Sequence, residues 1–243
     1  MKKLQQLFRN SYTGENIIIK AESESLSWKY QKEYIDKDLN NNRTDQQAIV
    51  IGNGIDRTSF DLNIIKNHLG TRLGIKILQT YGCNALYRDF TPTFLIVTGS
   101  TIAEEIPLEY CQNNIVLAPT SIALKYSEKF RLIPQNPNFN AGAIAAYLAA
   151  FDGHSRIFLL GFDGNDDPAV NNNVYAGTNG YLDYKQGQND LFWTECLIEV
   201  IKTYPLVDWI LVKSTGRGYI PEKLKYLNLR VISFNDFIPL ADL

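Results

Sequence analysis

From residue 46 onward the chain alternates short aliphatic and β-branched runs with longer segments of mixed polarity. The runs are AIVI at 48–51, IKIL at 75–78, TFLIV at 93–97, IVLA at 115–118, RIFLL at 156–160, VDWILV at 207–212 and LRVIS at 229–233. They are continuous rather than alternating, as expected of strands covered on both faces. Two of the intervening segments read as helices. In 140–151, NAGAIAAYLAAF, Asn140 can cap the start and the alanines favour helix. Over 188–203, Leu191, Phe192, Glu195, Leu197, Ile198 and Ile201 outline one face expected to be buried. Strand–helix–strand alternation implies parallel pairing through right-handed crossovers. The expected fold class is therefore α/β: a Rossmann-like, doubly wound, mostly parallel sheet with helices on both faces.

Residues 1–45 break this pattern. They are polar and charged, and they close on an asparagine run, Asn40 to Asn42, that reads as a hinge. The stretch holding Leu26, Trp28, Tyr30 and Tyr34 suits a short helix or an extended arm. It carries too little apolar surface to fold alone, so 1–45 is expected as an appendage packed on a domain spanning 46–243.

Composition narrows the classes. At ~100–200 residues per domain, 243 residues make one large domain or one domain with an appendage. The 24 Lys plus Arg against 26 Asp plus Glu give a net charge of −2, without the basic surplus of a general nucleic-acid binder. No run approaches the length of a membrane span, and MKKLQQLFRN lacks the apolar core of a signal peptide. Cys83, Cys111 and Cys196 are an odd, widely spaced set, which points to a reduced, cytoplasmic setting rather than a disulfide or zinc framework. Two histidines, His68 and His154, leave little for a Ser–His–Asp triad or a multi-histidine metal site. His154 precedes a strand and is expected to face solvent at the edge away from the ligand.

In a doubly wound sheet, ligands sit beyond the carboxyl ends of the strands. The first strand of the domain runs into Gly52-Asn53-Gly54, where glycines allow a sharp turn and close approach to an anionic group. Arg57 stands where the dinucleotide fingerprint needs its third glycine, and there is no P-loop lysine. Arg57 and Thr58 are candidates for phosphate contacts, with solvent exposure as the alternative. Asn84, in Gly82-Cys83-Asn84-Ala85-Leu86-Tyr87, offers a donor and an acceptor to a sugar hydroxyl or base edge. Cys83 reads as an inert core thiol. The hydroxyls of Thr98-Gly99-Ser100-Thr101 suit either helix capping or a phosphate contact. Asp163, Asp166 and Asp167, after the strand at 156–160, could hold Mg²⁺ or serve as ordinary turn residues. A long polar loop follows, with Asn171 to Asn173, Tyr175, Tyr181 and Tyr184, as in loops that cover a substrate.

GNG after a first strand, GCNALY after a second, then NAGAIAAYLAAF leading into RIFLLGFD, together resemble one superfamily. It is the DUF115 group, which includes the motility-accessory-factor glycosyltransferases and archaeal 6-hydroxymethylpterin pyrophosphokinases, and it is related to the Cst-type bacterial sialyltransferases. The similarity runs over roughly 46–200. It implies a Rossmann-like fold. By the sialyltransferase branch, it also implies that Gly52, Asn53, Gly54 and Asn84 contact the nucleotide of a nucleotide-activated sugar. Asn140 and Gly142, opening the Ala-rich helix, correspond to a segment beside that ligand. Tyr175 and Tyr181 correspond to tyrosines that assist the departing phosphate. That branch carries a histidine as general base in its late loop; this chain has Tyr175-Ala176-Gly177-Thr178 there, so the base would fall to Asp163. In the pyrophosphokinase branch, acidic residues follow the third strand; this chain has Thr98-Gly99-Ser100.

Three readings follow. The first is a glycosyltransferase that takes a nucleotide-activated sugar, such as a CMP-nonulosonate, with Asp163, Tyr175 and Tyr181 as catalytic candidates and no resident metal. The second is diphosphoryl transfer from ATP, where Asp163, Asp166 and Asp167 would carry Mg²⁺. The third is a nucleotide-binding module without catalysis.

Overall fold

The computed structural model describes residues 2–9, 16–24, 27–35, 47–65, 78–163, 172–183, 191–216, 220–225 and 227–243, the first three segments as backbone alone. Asn40 to Asn42, His68, residues 75–77, Asp166, Asp167, Asn171 and Tyr184 lie outside them.

The sheet is built from β1 (Lys2–Arg9), β2 (Asn16–Glu24), β3 (Ser27–Ile35), β4 (Gln47–Ile51), β5 (Gln79–Cys83), β6 (Phe94–Ile96), β7 (Ile115–Ala118), β8 (Arg131–Leu132), β9 (Arg156–Leu160), β10 (Asp208–Lys213) and β11 (Leu229–Ser233). Their spatial order is β11-β10-β9-β4-β5-β6-β7-β8-β1-β2-β3. Strands β4 to β11 are all parallel, and the architecture is the doubly wound, Rossmann-like α/β fold. The chain lays β5 to β8 on one side of β4 and then returns to place β9 to β11 on the other. The strand order thus reverses between β4 and β9, where such folds open a crevice.

The continuous apolar runs have the expected cause. Ala48 and Val50 of β4 point to one face, with Ile157, Leu159 and Leu211; Ile49 and Ile51 point to the other, with Phe158, Leu160 and Ile210. The described helices are α1 (Ser100–Glu105), α2 (Leu108–Asn113), α3 (Thr120–Lys125), α4 (Ala141–Phe151), α5 (Leu191–Thr203) and α6 (Phe234–Leu240). Helices α4 and α5 cover the first face, while side chains of α1, α2, α3 and α6 join the core of the second. In α4 only Gly142 and Phe151 escape full burial, because alanines let the helix press closely on β4, β5 and β6 with α5 over it. Leu197, Ile198 and Ile201 of α5 are buried as expected. Phe192 and Glu195 are not: Phe192 is 60% exposed, and Glu195 pairs with Lys223 at the surface.

Three other expectations change. The second strand of the domain is β5, Gln79–Cys83; of the run expected at 75–78, residue 78 alone is described, and it precedes the strand. Its polar residues Gln79 and Thr80 are both buried, and Thr80 and Thr93 exchange backbone-to-hydroxyl hydrogen bonds of 3.1 and 2.8 Å. His154 does not face solvent: it is 2% exposed at the amino edge of the sheet. Gly153, at φ +89°, turns the chain sharply between α4 and β9. This tucks the imidazole beneath the sheet, with Nε2 3.1 Å from the Tyr81 hydroxyl and 3.0 Å from Gln79 Oε1. Between the two alternatives for the N-terminal stretch, the backbone is extended. Strands β1, β2 and β3 pair antiparallel, and β1 adds to β8 in parallel through Gln5 and Gln6. Among the described residues no helix is long and apolar enough to cross a membrane.

Candidate functional site

A cleft of about 340 Å³ opens at the carboxyl ends of β4, β5 and β9, on the reversal of strand order. Its walls include Gly52, Asn53, Gly54, Asn84, Asn140, Gly142, Asp163 and Tyr181. Eight of the nine residues singled out from the sequence therefore meet here, although they come from five separate segments. Tyr175 does not line the cleft.

The glycines are needed for a reason other than a tight turn around a ligand. The loop after β4 runs directly against the loop after β9: Gly52 N–H donates to Leu160 O at 2.8 Å and Gly54 N–H to Gly161 O at 2.9 Å. A β-carbon on Gly52 would overlap the Gly161 carbonyl oxygen, and one on Gly54 would overlap the Asp163 carboxylate. Gly161 itself has φ +72°, a conformation that side chains rarely tolerate.

The asparagines define the chemistry of the walls. Asn53 Nδ2 donates to Cys83 O at 3.3 Å and to the Tyr181 hydroxyl at 3.2 Å, which fixes the carboxamide and leaves Oδ1 buried with no partner among the described residues. Asn140 caps α4 by accepting from Ala143 N–H at 3.0 Å, and among the described residues its buried Nδ2 has no partner either. Asn84 sits at φ +47°, which asparagine tolerates better than most residues, and its Oδ1 accepts from Thr98 N–H and Gly99 N–H. Asn53, Asn84 and Asn140 thus all line the cleft, with Asn53 Oδ1 and Asn140 Nδ2 buried beside it. An unpaired buried polar group costs about 1–3 kcal/mol, so the free atoms of Asn53 and Asn140 mark a site where a partner is expected. Asn172 is spent internally: it donates to Asp163 at 2.9 Å and accepts from Ile55 N–H at 3.3 Å.

Asp163 Oδ2 accepts from Asp56 N–H at 3.1 Å and from Asn172, while Oδ1 is buried against Gly54 without a hydrogen bond. Burial raises the pKa of this carboxyl above the usual range; its hydrogen bonds and the charge of Lys213 oppose the shift. Lys213 ends β10 and is only 4% exposed, and burial lowers its pKa. The next residue, Ser214, donates its N–H to Asp56 at 2.8 Å, so the end of β10 is tied to the same turn. Nothing in VDWILVK distinguishes this lysine from an ordinary solvated strand end, and the sequence reading missed it. Of the acidic trio, Asp163 alone is described.

The late loop, 172–183, is clamped over the cleft. Val174 N–H donates to Asn53 O at 2.8 Å. Arg88 donates to the Thr178 hydroxyl at 2.8 Å and to Asn179 O at 3.0 Å, and pairs with Glu105 at 2.7 Å. Arg57 was expected at a phosphate or in solvent. It is instead 4% exposed and donates to the Tyr175 hydroxyl at 2.9 Å and to Asp89 at 3.3 Å. Tyr175 in turn donates to Asp89 at 2.6 Å. Its hydroxyl is committed to this anchor, which corrects the expectation that Tyr175 meets a departing phosphate. Thr58 is exposed and its hydroxyl donates to Ile55 O. Tyr181 does line the cleft. Its oxygen accepts from Asn53 and from Ala85 N–H at 3.3 Å, and burial pushes its pKa well up, so the O–H proton stays in place as a donor. Cys83 is the inert thiol expected: burial pushes its pKa up to about 12.

Trp193, Phe162 and Gly180 also line the cleft and were not among the sequence candidates; Asn173, from the loop expected to cover a substrate, lines it as well. Among the lining residues five are asparagines, one is a carboxylate and none is Lys, Arg or His. The chain matches no protein-family model, no curated protein and no solved structure.

Proposed function

We propose that the protein binds a nucleotide-activated sugar in this cleft, of the CMP-nonulosonate class, and transfers the sugar to a hydroxyl acceptor. The observation that carries the reading is the set of asparagine carboxamides of fixed polarity, two with unpartnered buried atoms, at the sheet's switch point. Neutral amides suit sugar hydroxyls and base edges. A single phosphodiester suits walls that offer N–H donors without a cationic side chain. A triphosphate would bring several negative charges to the same walls.

In this reading Gly52, Asn53, Gly54 and Asn84 hold the nucleoside. The phosphate lies at the start of α4, where the N–H groups of Ala141 and Gly142 and the Asn140 Nδ2 are donors and the helix dipole favours an anion. Asp163 takes the proton of the acceptor hydroxyl as its oxygen bonds to the anomeric carbon. The bond from that carbon to the phosphate oxygen breaks, and the phosphate leaves with the electron pair. The Tyr181 O–H then stabilises the charge growing on that oxygen. Tyr175 acts at a distance, by anchoring the loop that carries Tyr181.

Calorimetric titration with CMP, and with ATP plus Mg²⁺, tests the proposal. CMP is expected to bind without metal and to lose binding in Gly54→Trp. CMP binding unchanged in Gly54→Trp overturns the site. Mg²⁺-dependent ATP binding lost in Asp163→Asn, with no CMP binding, overturns the glycosyl-transfer reading in favour of diphosphoryl transfer.

A further inference from the structure

The cleft is lined by two kinds of residue: the carboxamides described above, and Phe162, Trp193 and Ala141, which belong to or pack on one apolar cluster over the sheet. Phe162 is 7% exposed, and its ring lies so close to the start of α4 that a β-carbon on Gly142 would sit 3.3 Å from it. Glycine at 142 therefore keeps this aromatic surface clear.

Trp193 differs from the buried tryptophan of the same cluster. Trp209 is wholly buried, and its indole N–H donates to Tyr204 O at 3.2 Å. Trp193, in the first turn of α5, is only partly buried, and its indole makes no hydrogen bond among the described residues. Packing alone needs neither the opening nor the free N–H. An indole that borders a cleft also lined by carboxamides offers a planar ring a face to stack on.

We propose that Trp193 is the platform on which the planar base of the bound nucleotide stacks, while carboxamides of the same cleft read its edge. This deepens the functional reading above and rests on it: the ligand is held by a heterocyclic ring as well as by its phosphate. Stacking on an aromatic side chain is a large, ring-dependent term, so its removal penalises only ligands that carry a base.

The test compares CMP with ribose 5-phosphate, which keeps the phosphate and sugar and lacks the base. Trp193→Ala is expected to weaken CMP at least about tenfold and Trp193→Phe by no more than about threefold, with ribose 5-phosphate unaffected by either. Should Trp193→Ala fail to fold, Trp193→Phe and the parent protein still decide the matter. CMP, and not ribose 5-phosphate, is expected to quench the parent's indole fluorescence, and the quench is expected to vanish in Trp193→Phe. Unchanged CMP affinity in Trp193→Ala, equal losses for the two ligands, or a quench that persists in Trp193→Phe overturns this inference alone. A parent protein that binds no CMP overturns the functional reading and this inference together.

Discussion

Gly54 and Asp163 touch across the strand-order reversal: a β-carbon on Gly54 would stand 2.6 Å from the Asp163 Cγ. The two residues follow different strands, β4 and β9, which lie side by side in the sheet. Glycine at 54 thus sets where the Asp163 carboxylate lies, and through it where Asn172 and the start of the late loop lie.

Gly54→Ala should therefore behave as an overpacking change. Its backbone, at φ −66°, accepts alanine without strain, so the whole effect comes from the collision. We expect a loss of about 1–3 kcal/mol in urea unfolding, and CMP affinity reduced at least tenfold by displacement of Asp163. Gly54→Ala in Asp163→Gly should recover most of the lost stability. A stability equal to the parent's in Gly54→Ala alone would show that the two loops separate easily.

Asn140 does two jobs that can be told apart. Asn140→Ala removes the cap of α4 and the free amide together, and should cost about 1 kcal/mol of stability along with ligand affinity. Asn140→Asp keeps an accepting oxygen for Ala143 N–H and adds a charge that the helix start favours, so stability should hold. It also replaces the donor with an anion beside the phosphate position, and CMP affinity should fall at least tenfold. Retained affinity in Asn140→Asp would remove this helix start from the site.

Tyr175 and Tyr181 look alike in sequence but should respond differently. Tyr175→Phe leaves Arg57 without one of its acceptors inside the protein, and should cost about 1–3 kcal/mol of stability with a small effect on turnover. Tyr181→Phe keeps the ring and removes the O–H proposed to meet the leaving phosphate. Its effect should fall on kcat, by about ten- to hundredfold, with smaller loss of stability. The reverse pattern in melting temperature and kcat would exchange their roles.

Alkaline pH should destabilise the fold through its buried thiols. An unfolded cysteine loses its proton near 9.0, whereas burial pushes Cys83 up to about 12 in the folded protein. Between those values the folded state binds more protons than the unfolded state. The stability from keeping the thiol neutral is complete below pH 9 and is lost as pH rises toward 12, by at most about 1.4 kcal/mol per pH unit. Urea unfolding at pH 8, 9 and 10 should show the decline, and Cys83→Ala should make it shallower. The remaining slope comes from Cys111, pushed up to about 11, and from buried tyrosines. An identical slope in Cys83→Ala would place the alkaline transition elsewhere.

Much of the site was legible because glycine, asparagine and aspartate just after a buried apolar run can be located from the run itself. Gly52 to Gly54 and Asp163 each follow such a run, and Asn140 precedes a helix that its alanines identify. Asn84 was found because the strand was expected to end in Tyr81-Gly82-Cys83, as β5 does. The failures share a cause. His154 and Arg57 are polar, and polar residues read locally as solvated. Each is buried because a distant partner takes its hydrogen bonds: Tyr81 for His154, Tyr175 and Asp89 for Arg57. Phe192 fails in the opposite sense, as an apolar residue that α5 turns to solvent.

Two-sided burial was written in the chain, because strands covered on both faces are mostly apolar along their length and strands joined by helices run parallel in such folds. From this came the fold class, the edge to search and the residues at that edge. Which of those residues meet, and what they offer, came only with the tertiary structure. The order of strands decides that the loops of β4 and β9 collide, so the glycines serve that packing. The hydrogen bonds of Cys83, Tyr181 and Ala143 decide which end of each carboxamide is left free. The anchor of Arg57 and Asp89 decides that Tyr181, and not Tyr175, reaches the cleft. A residue type states what a side chain can bond; only its neighbours in space determine which of those bonds remain for a ligand.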